Sequence, residues 1–95
     1  MRTIKWSTDF KKDYRRIKAT PRYAQELDGL LGDVATLLME DAPLPEKYRD
    51  HDLVGNWNGC RECHLKPNLL LIYKTAEPKI LRLVRLGSHA ELFKK

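Results

Sequence analysis

Hydrophobic positions change their spacing twice along this chain of 95 residues. Alternating apolar and polar side chains over residues 2–7 predict a short strand. The spacing then lengthens to one helical turn, which predicts an amphipathic helix with Ser7 or Thr8 as its N-cap. The apolar positions of that helix are Phe10, Tyr14 and Ile17.

A second helix is predicted to begin at Pro21, because proline fits the first helical turn, where its missing N–H has no partner to lose. Its apolar residues recur at spacings of three and four, which places them in the core. They are Tyr23, Leu27, Leu30, Leu31, Val34, Leu37 and Leu38. Gly29 and Gly32 lower the helix propensity and hint at close packing of this helix on a neighbour. The prolines of residues 42–45 end the helical region.

From residue 58 the pattern becomes that of strands. Three strands are predicted over residues 58–65, 69–75 and 79–86, with turns at residues 67–68 and 77–78. The middle strand is apolar on both faces, as expected at the centre of a sheet. The chain therefore changes from helices in its first half to antiparallel strands in its second.

The last strand is broken by Gly87, and Ser88 can cap a short final helical turn. The element order is then strand, helix, helix, three antiparallel strands and a short helix. A chain of this length forms one domain, so we predict a single α+β domain over residues 1–95, with a small, mostly antiparallel sheet and the two N-terminal helices on one face.

The chain is basic, with 18 Lys and Arg against 13 Asp and Glu. Residues 1–50 carry 10 positive and 9 negative side chains, whereas residues 51–95 carry 8 and 4. This excess suits a polyanionic partner, although an ordinary solvated surface accounts for it equally well. The same two interpretations apply to the basic stripe on the first helix, formed by Lys11, Lys12, Arg15, Arg16 and Lys18.

No secretory signal precedes the first strand, and the longest apolar run, residues 69–73, is too short to cross a bilayer. We therefore predict a cytoplasmic protein with no membrane partner. In a reducing compartment the two cysteines are expected to remain thiols.

Residues 60–64 read Cys-x-x-Cys-His, the attachment signature of a c-type haem. In an extended segment, however, Cys60 and Cys63 point to opposite faces and cannot converge on one porphyrin. A four-ligand zinc site is not indicated either, because the three histidines are scattered. Haem attachment is therefore kept only as a remote alternative, and packing accounts for both thiols.

The same strand places Glu62 and His64 on one face, because they are two residues apart. A histidine beside a carboxylate can transfer protons near neutral pH. Two more histidines lie in turn-rich segments of the same basic half. Together with an arginine and an aromatic ring, these groups match the needs of RNA strand scission: a base, an acid, a cation for the phosphate and a surface for stacking.

Three motifs in this half carry a resemblance to a known family. They are DHxLxGxWxG at residues 50–59, RECHxKPNxLLIY at residues 61–73 and RLGSHAELF at residues 85–93. In combination they closely resemble the YafQ-type toxins of the RelE/ParE superfamily. The first half of the chain is similar only in its length and element order.

The resemblance implies a RelE-like fold and a ribosome-dependent mRNA endonuclease, the toxin of a bacterial type II toxin-antitoxin pair. Its partners would be a cognate antitoxin, the ribosome and mRNA. It implies no cofactor and a metal-independent reaction, in which the 2′-hydroxyl attacks the adjacent phosphate. A basic toxin also suits an acidic wrapping segment of the antitoxin.

The resemblance further implies roles for particular side chains. Proton transfer would be shared among His51, His64 and His89, with Glu62 in a position that is usually acidic. Arg85 would neutralise the scissile phosphate, Phe93 would stack on or position a nucleotide, and Lys66 would contact RNA. The predicted catalytic set is His51, Glu62, His64, Asn68, Arg85, His89 and Phe93, and the predicted RNA-binding set is Lys66, Arg85 and Phe93.

One position departs from the family pattern. The residue after Pro67, usually aspartate in the family, is Asn68 here. An amide forms hydrogen bonds but cannot exchange a proton at neutral pH. We therefore expect cleavage that is reduced but not abolished. A non-catalytic protein of the same fold, including a gyrase-inhibiting toxin, is the alternative function.

Overall fold

Five strands and three helices follow one another along residues 1–93, the part of the chain that the computed structural model describes. In chain order they are β1 (Thr3–Trp6), α1 (Thr8–Lys18), α2 (Leu27–Met39), β2 (His51–Asp52), β3 (Arg61–Lys66), β4 (Leu69–Lys74), β5 (Ile80–Gly87) and α3 (His89–Leu92). Two short 3-10 turns, Glu46–Tyr48 and Gly55–Trp57, flank β2. The predicted α+β order is confirmed, with β2 as an addition that the sequence pattern did not predict.

The strands form one sheet in the order β1-β5-β4-β3-β2. β1 runs parallel to β5, and the other neighbours are antiparallel. β4 therefore lies at the centre, as its two apolar faces predicted, and its residues Leu69 to Tyr73 are all buried.

The first helix begins at the predicted cap. The Ser7 hydroxyl accepts a hydrogen bond from the Phe10 N–H at 2.9 Å and donates one to the Val84 carbonyl at 2.8 Å. The cap thus satisfies a free N–H of the helix and also ties the helix to β5. Phe10 and Ile17 are buried, as predicted, and so is Asp13 between them.

The second helix begins later than predicted. Residues 21–26 form a series of turns, and regular α-helix starts only at Leu27. The Lys18 ammonium bonds the Ala24 carbonyl at 2.9 Å, which takes up an acceptor of this segment. The prediction that Gly29 and Gly32 mark close packing is wrong, because both are exposed and a Cβ atom on either would have no neighbour within 4 Å.

The sheet has a different apolar cluster on each face. The larger cluster lies between the sheet and the helices α1 and α2, and includes Phe10, Val34 and Leu71. The smaller one contains Leu70, Ile72 and Leu92, with Trp57 and Phe93 among the side chains packed against it. We call the face of the smaller cluster the site face, because most of the predicted functional residues lie on or around it.

Strand β3 begins at Arg61 rather than at residue 58. The preceding residues turn instead of extending: Gly55 and Gly59 have φ angles of 68° and 92°, in the region that glycine alone enters without strain. This turn brings the chain back after β2, so that β2 and β3 pair as an antiparallel edge. The pairing determines the geometry of the site.

Candidate functional site

Two histidines flank one buried carboxylate on the site face. Glu62 and His64 share this face of β3, as predicted, and the register of β2 places His51 directly opposite Glu62. The Glu62 Oε1 atom lies 3.5 Å from His51 Nε2 and 3.4 Å from His64 Nε2. The Glu62 side chain is only 5% exposed, whereas those of His64 and His51 are 21% and 50% exposed. Both rings are therefore accessible to a substrate, and the carboxylate lies next to both.

The hydrogen bonds of His51 define its tautomer. Its Nδ1 atom lies 2.7 Å from the Arg49 carbonyl oxygen. A carbonyl only accepts, so Nδ1 must carry the hydrogen and donate it. The other ring nitrogen, Nε2, is the one that faces Glu62.

The segment that carries His51 is held on both sides by Arg61. The Arg61 guanidinium donates to Asp50 at 2.8 and 3.3 Å and to Asp52 at 2.5 Å. The Tyr73 hydroxyl donates a further short hydrogen bond to Asp50. The bond to Asp50 raises the pKa of Arg61, while burial and then the same carboxylate raise the pKa of Tyr73. Arg61 was not among the predicted site residues. The available signal was its position next to Glu62 in a predicted strand, together with the two aspartates that flank His51 in the sequence.

Replacing Arg61 with methionine is expected to lower the rate of the predicted RNA cleavage about 10- to 100-fold by releasing His51, a predicted catalytic residue, since small misplacements of such a group have effects of this size. The fold should persist, because the aliphatic stem remains and the pair is partly exposed. Cleavage by purified protein on programmed ribosomes measures the rate. Arg82→Met is the matched control, because Arg82 forms a comparable ion pair with Glu77 at 2.8 Å on an exposed surface. Equal rates for the two variants would contradict a role for Arg61 in holding His51.

Arg85 is anchored by a buried carboxylate of α1. Its Nε and Nη2 atoms donate to Asp13 at 2.7 and 3.2 Å, and this pairing raises the pKa of Arg85. Asp13 also accepts from the Leu86 backbone N–H at 2.9 Å and from Arg16 at 3.2 Å. Within residues 1–93 the third nitrogen of Arg85, Nη1, has no hydrogen-bond partner. The Arg85 side chain is 26% exposed, so it remains partly accessible to a phosphate.

Asp13 was missed by the sequence analysis. The available signal was its position three residues after Phe10 and four before Ile17, on the apolar face of the helix. A carboxylate placed there must find charged or N–H partners in the fold.

The register of the sheet brings these groups into one row. Arg85 pairs with Ile72, Ile72 with Glu62, and Glu62 with His51, across four neighbouring strands. In the next row Gly87 pairs with Leu70 and Leu70 with His64. β5 and β3 are separated only by β4, so the arginine and the histidine-carboxylate group lie about 10 Å apart at the backbone.

The last predicted residues sit on α3, directly after β5. Ser88 caps this helix through a reciprocal pair of bonds with Glu91, at 3.1 and 2.8 Å, and Arg16 holds the Glu91 carboxylate at 3.0 Å. The His89 and Phe93 rings lie 4.9 Å apart, and Phe93 makes an edge contact with Trp57 at 6.1 Å. His89 is exposed and follows Gly87, the last residue of β5, by two positions.

Two predicted residues are not joined to this group. Asn68 lies exposed in the turn between β3 and β4, and no hydrogen bond in the described part of the chain links it to His64 or Glu62. Lys66 is half-buried and forms an ion pair with Glu26 at 3.4 Å. Any RNA contact by Lys66 must compete with that pair.

The two cysteines lie on opposite sides of the sheet, as predicted. Cys63 is fully buried in the larger cluster, and burial raises its pKa to about 12. Cys60 packs against the smaller cluster on the site face. The two thiols therefore cannot share a porphyrin. Within residues 1–93 no group of three or more His, Cys, Asp or Glu side chains is placed to hold a metal ion, and no helix there has the length and apolarity to span a bilayer.

Comparison with known proteins gives matches along almost the whole chain. The profile of a family described as "Bacterial toxin of type II toxin-antitoxin system, YafQ" matches residues 2–94. The mRNA interferase toxin YafQ of Escherichia coli strain K12 is 37% identical over 92 residues, which cover 97% of this chain and 96% of the relative.

Solved structures show the same similarity. A copper-bound mutant toxin from Helicobacter pylori superposes with a TM-score of 0.88 at 35% identity, covering 98% of this chain and all of that one. The E. coli DinJ-YafQ complex contains a chain that superposes with a TM-score of 0.80 at 37% identity, covering 98% and 99%. The similarity thus includes the N-terminal half, where the sequence motifs alone were weakest.

Proposed function

Because this chain belongs to the YafQ family of type II toxins, we propose that it is an mRNA interferase held in check by a cognate antitoxin. Its substrate would be messenger RNA on the ribosome. The observation that carries this proposal is the row from Arg85 to His51, which presents a cation and a carboxylate flanked by two histidines on one face of the sheet.

The chemistry that this arrangement supports is transfer of the phosphoryl group from the 5′-oxygen to the 2′-oxygen within the RNA strand. A base on β3, either His64 or the Glu62-His51 pair, takes the proton of the 2′-hydroxyl as its oxygen bonds to phosphorus. The bond from phosphorus to the 5′-oxygen breaks, and His89 gives that oxygen a proton. The products are a 2′,3′-cyclic phosphate and a 5′-hydroxyl.

The placement of the groups on two strands favours this division of roles. Attack and departure occur on opposite sides of phosphorus, and the width of β4 separates the β3 groups from Arg85 on β5, which His89 follows by four residues. Arg85 can offer its free Nη1 to the phosphate as negative charge develops. Phe93, which packs beside His89, supplies a ring on which a base can stack.

Mapping of mRNA 5′ ends after induction in bacteria tests the proposal. New internal 5′-hydroxyl ends in translated messages are expected for the unaltered chain. They should disappear with His64→Ala and with His89→Ala but persist with Lys79→Ala, an exposed residue before β5. Growth arrest that survives both histidine substitutions would contradict the nuclease function and favour the non-catalytic alternative.

We also propose that the reaction needs no metal, since histidines and an arginine supply the acid, the base and the cation. Phenanthroline removes transition metals while leaving the Mg²⁺ that ribosomes require. The cleavage rate on programmed ribosomes is expected to be the same with and without this chelator. A loss that added zinc or copper restores would contradict the metal-independent reaction.

Asn68→Asp is expected to raise the cleavage rate at least about tenfold, but by less than the ~10² to 10⁴ that a full general base contributes. The carboxylate would restore a proton acceptor in the exposed turn next to β3, in the form usual for the family. The rate on programmed ribosomes is the measurement. Asn56→Asp adds the same charge at another exposed asparagine and should leave the rate unchanged. An unchanged cleavage rate for Asn68→Asp would show that Asn68 does not lower the activity of this chain.

A further inference from the structure

A cleft of about 440 Å³ opens beside His64, where β3 extends past its neighbour β2. β2 pairs only with Arg61 and Glu62, so the rest of β3 has a strand neighbour on one side alone within residues 1–93. The space between this free edge, the first half of α2 and the turn at Glu46–Tyr48 forms the cleft. It is therefore continuous with the proposed catalytic group through the His64 side chain.

The charged side chains that line the cleft are mainly cations. They are Lys47, Arg49 and Lys66, with Asp33 as the acid. Lys66 is paired with Glu26, but neither Lys47 nor Arg49 has an ion-pair partner in the described part of the chain. The Lys47 ammonium lies over the Tyr48 ring at 5.1 Å from its centroid, which leaves the charge unneutralised.

Arg49 connects this cleft to the catalytic group through its backbone. Its φ and ψ angles of 50° and 42° are left-handed, an uncommon conformation for a residue other than glycine. In that conformation its carbonyl accepts the hydrogen bond from His51 Nδ1. The turn that brings Arg49 to the cleft is thus the same turn that orients His51.

We propose that this cleft is a subsite for phosphodiester groups of RNA that flank the bond being cut. This inference rests on the proposed nuclease function and extends it. The volume is in the range of small-molecule sites and can hold a nucleotide unit. Tyr48 is 8% exposed, so its ring is not a free stacking platform, and the contacts on offer are cations for the backbone. Such contacts give affinity and register without reading the base sequence.

Salt dependence of RNA binding tests the subsite. The double variant Lys47→Gln/Arg49→Asn removes two cations, and asparagine tolerates the left-handed conformation. With an uncleavable 2′-deoxy-substituted oligonucleotide, the slope of log affinity against log salt is expected to become shallower by about 1.4, because each phosphate contact on a single strand contributes about 0.7. The matched control is Lys5→Gln/Lys79→Gln, with Lys5 on β1 at the opposite edge of the sheet and Lys79 just before its neighbour β5. This control should keep the original slope.

A second variant changes affinity in the opposite direction. Asp33→Asn removes the acid from the cleft and should tighten binding of the oligonucleotide severalfold at low salt.

Vacant ribosomes serve as a second ligand that identifies the RNA. An effect of the variants on oligonucleotide binding assigns the phosphates to the message. An effect on the binding of vacant ribosomes alone assigns them to ribosomal RNA. Unchanged slopes with both ligands would overturn the subsite. Poly-glutamate serves as the probe for an acidic peptide as the occupant instead of RNA. If the double variant loses poly-glutamate binding without any loss of RNA binding, the subsite is also overturned.

The two proposals fail separately. If the unaltered chain does not cut translated mRNA yet the slopes change as expected, the nuclease function fails and the cleft remains an RNA-binding site. If the unaltered chain cuts and the slopes do not change, the subsite alone is overturned.

Discussion

Replacing Asp13 with alanine is expected to lower both the stability of the fold and the rate of RNA cleavage. Asp13 is 5% exposed and accepts hydrogen bonds from Arg85, Arg16 and the Leu86 N–H. Its removal leaves a buried N–H and a guanidinium without their acceptor, which costs about 3 kcal/mol in the free energy of unfolding. Urea denaturation measures this loss, and Asp33→Ala, at an exposed helical aspartate, is the control with no such loss.

The effect of Asp13 on cleavage should act through Arg85. A freed Arg85 no longer presents Nη1 in one orientation, and losing a single preorganised donor lowers kcat about 10² to 10³-fold. The double variant Asp13→Ala/Arg85→Ala should therefore cleave no more slowly than Arg85→Ala alone, when both are assayed under conditions in which the protein is folded. Losses that multiply would show that Asp13 acts independently of Arg85.

Replacing Glu62 with glutamine is expected to reduce cleavage without reducing stability. The carboxylate is buried, and its contacts to His51 and His64, at 3.5 and 3.4 Å, are long for hydrogen bonds. A neutral amide of the same shape is less costly to bury, so the free energy of unfolding should stay the same or rise slightly. The amide cannot stabilise a charged imidazole, and kcat should fall by about 10².

The opposite responses of the two carboxylates are the informative comparison. Asp13 accepts several hydrogen bonds and is expected to support both the fold and cleavage. Glu62 has only long contacts to the histidines, and its carboxylate is expected to support cleavage at a cost in stability. Glu77→Gln, at an exposed carboxylate paired with Arg82, should alter neither quantity. A Glu62→Gln protein that unfolds more easily and cleaves normally would reverse the assignment.

Much of the local structure could be predicted from the chain alone. Alternation with a period of two correctly placed Glu62 and His64 on one face, and it separated Cys60 from Cys63. The caps at Ser7 and Ser88 were predicted from residue type, because a hydroxyl next to free helical N–H groups acts within three residues. The start of α2 and the role of Gly29 and Gly32 were predicted wrongly, since propensity is a weak guide where tertiary contacts decide.

The sequence by itself determined the elements, their faces and the family motifs, because each depends on neighbours within a turn or along one strand. Only the tertiary structure decided which of these faces meet. It paired His51 on β2 with Glu62 on β3 and joined Asp13 to Arg85 over 72 residues of chain. It also bonded Arg61 to Asp50 and Asp52, the two neighbours of His51. Such contacts depend on strand register and on how the helices pack on the sheet, and no local pattern of hydrophobic and polar residues encodes either.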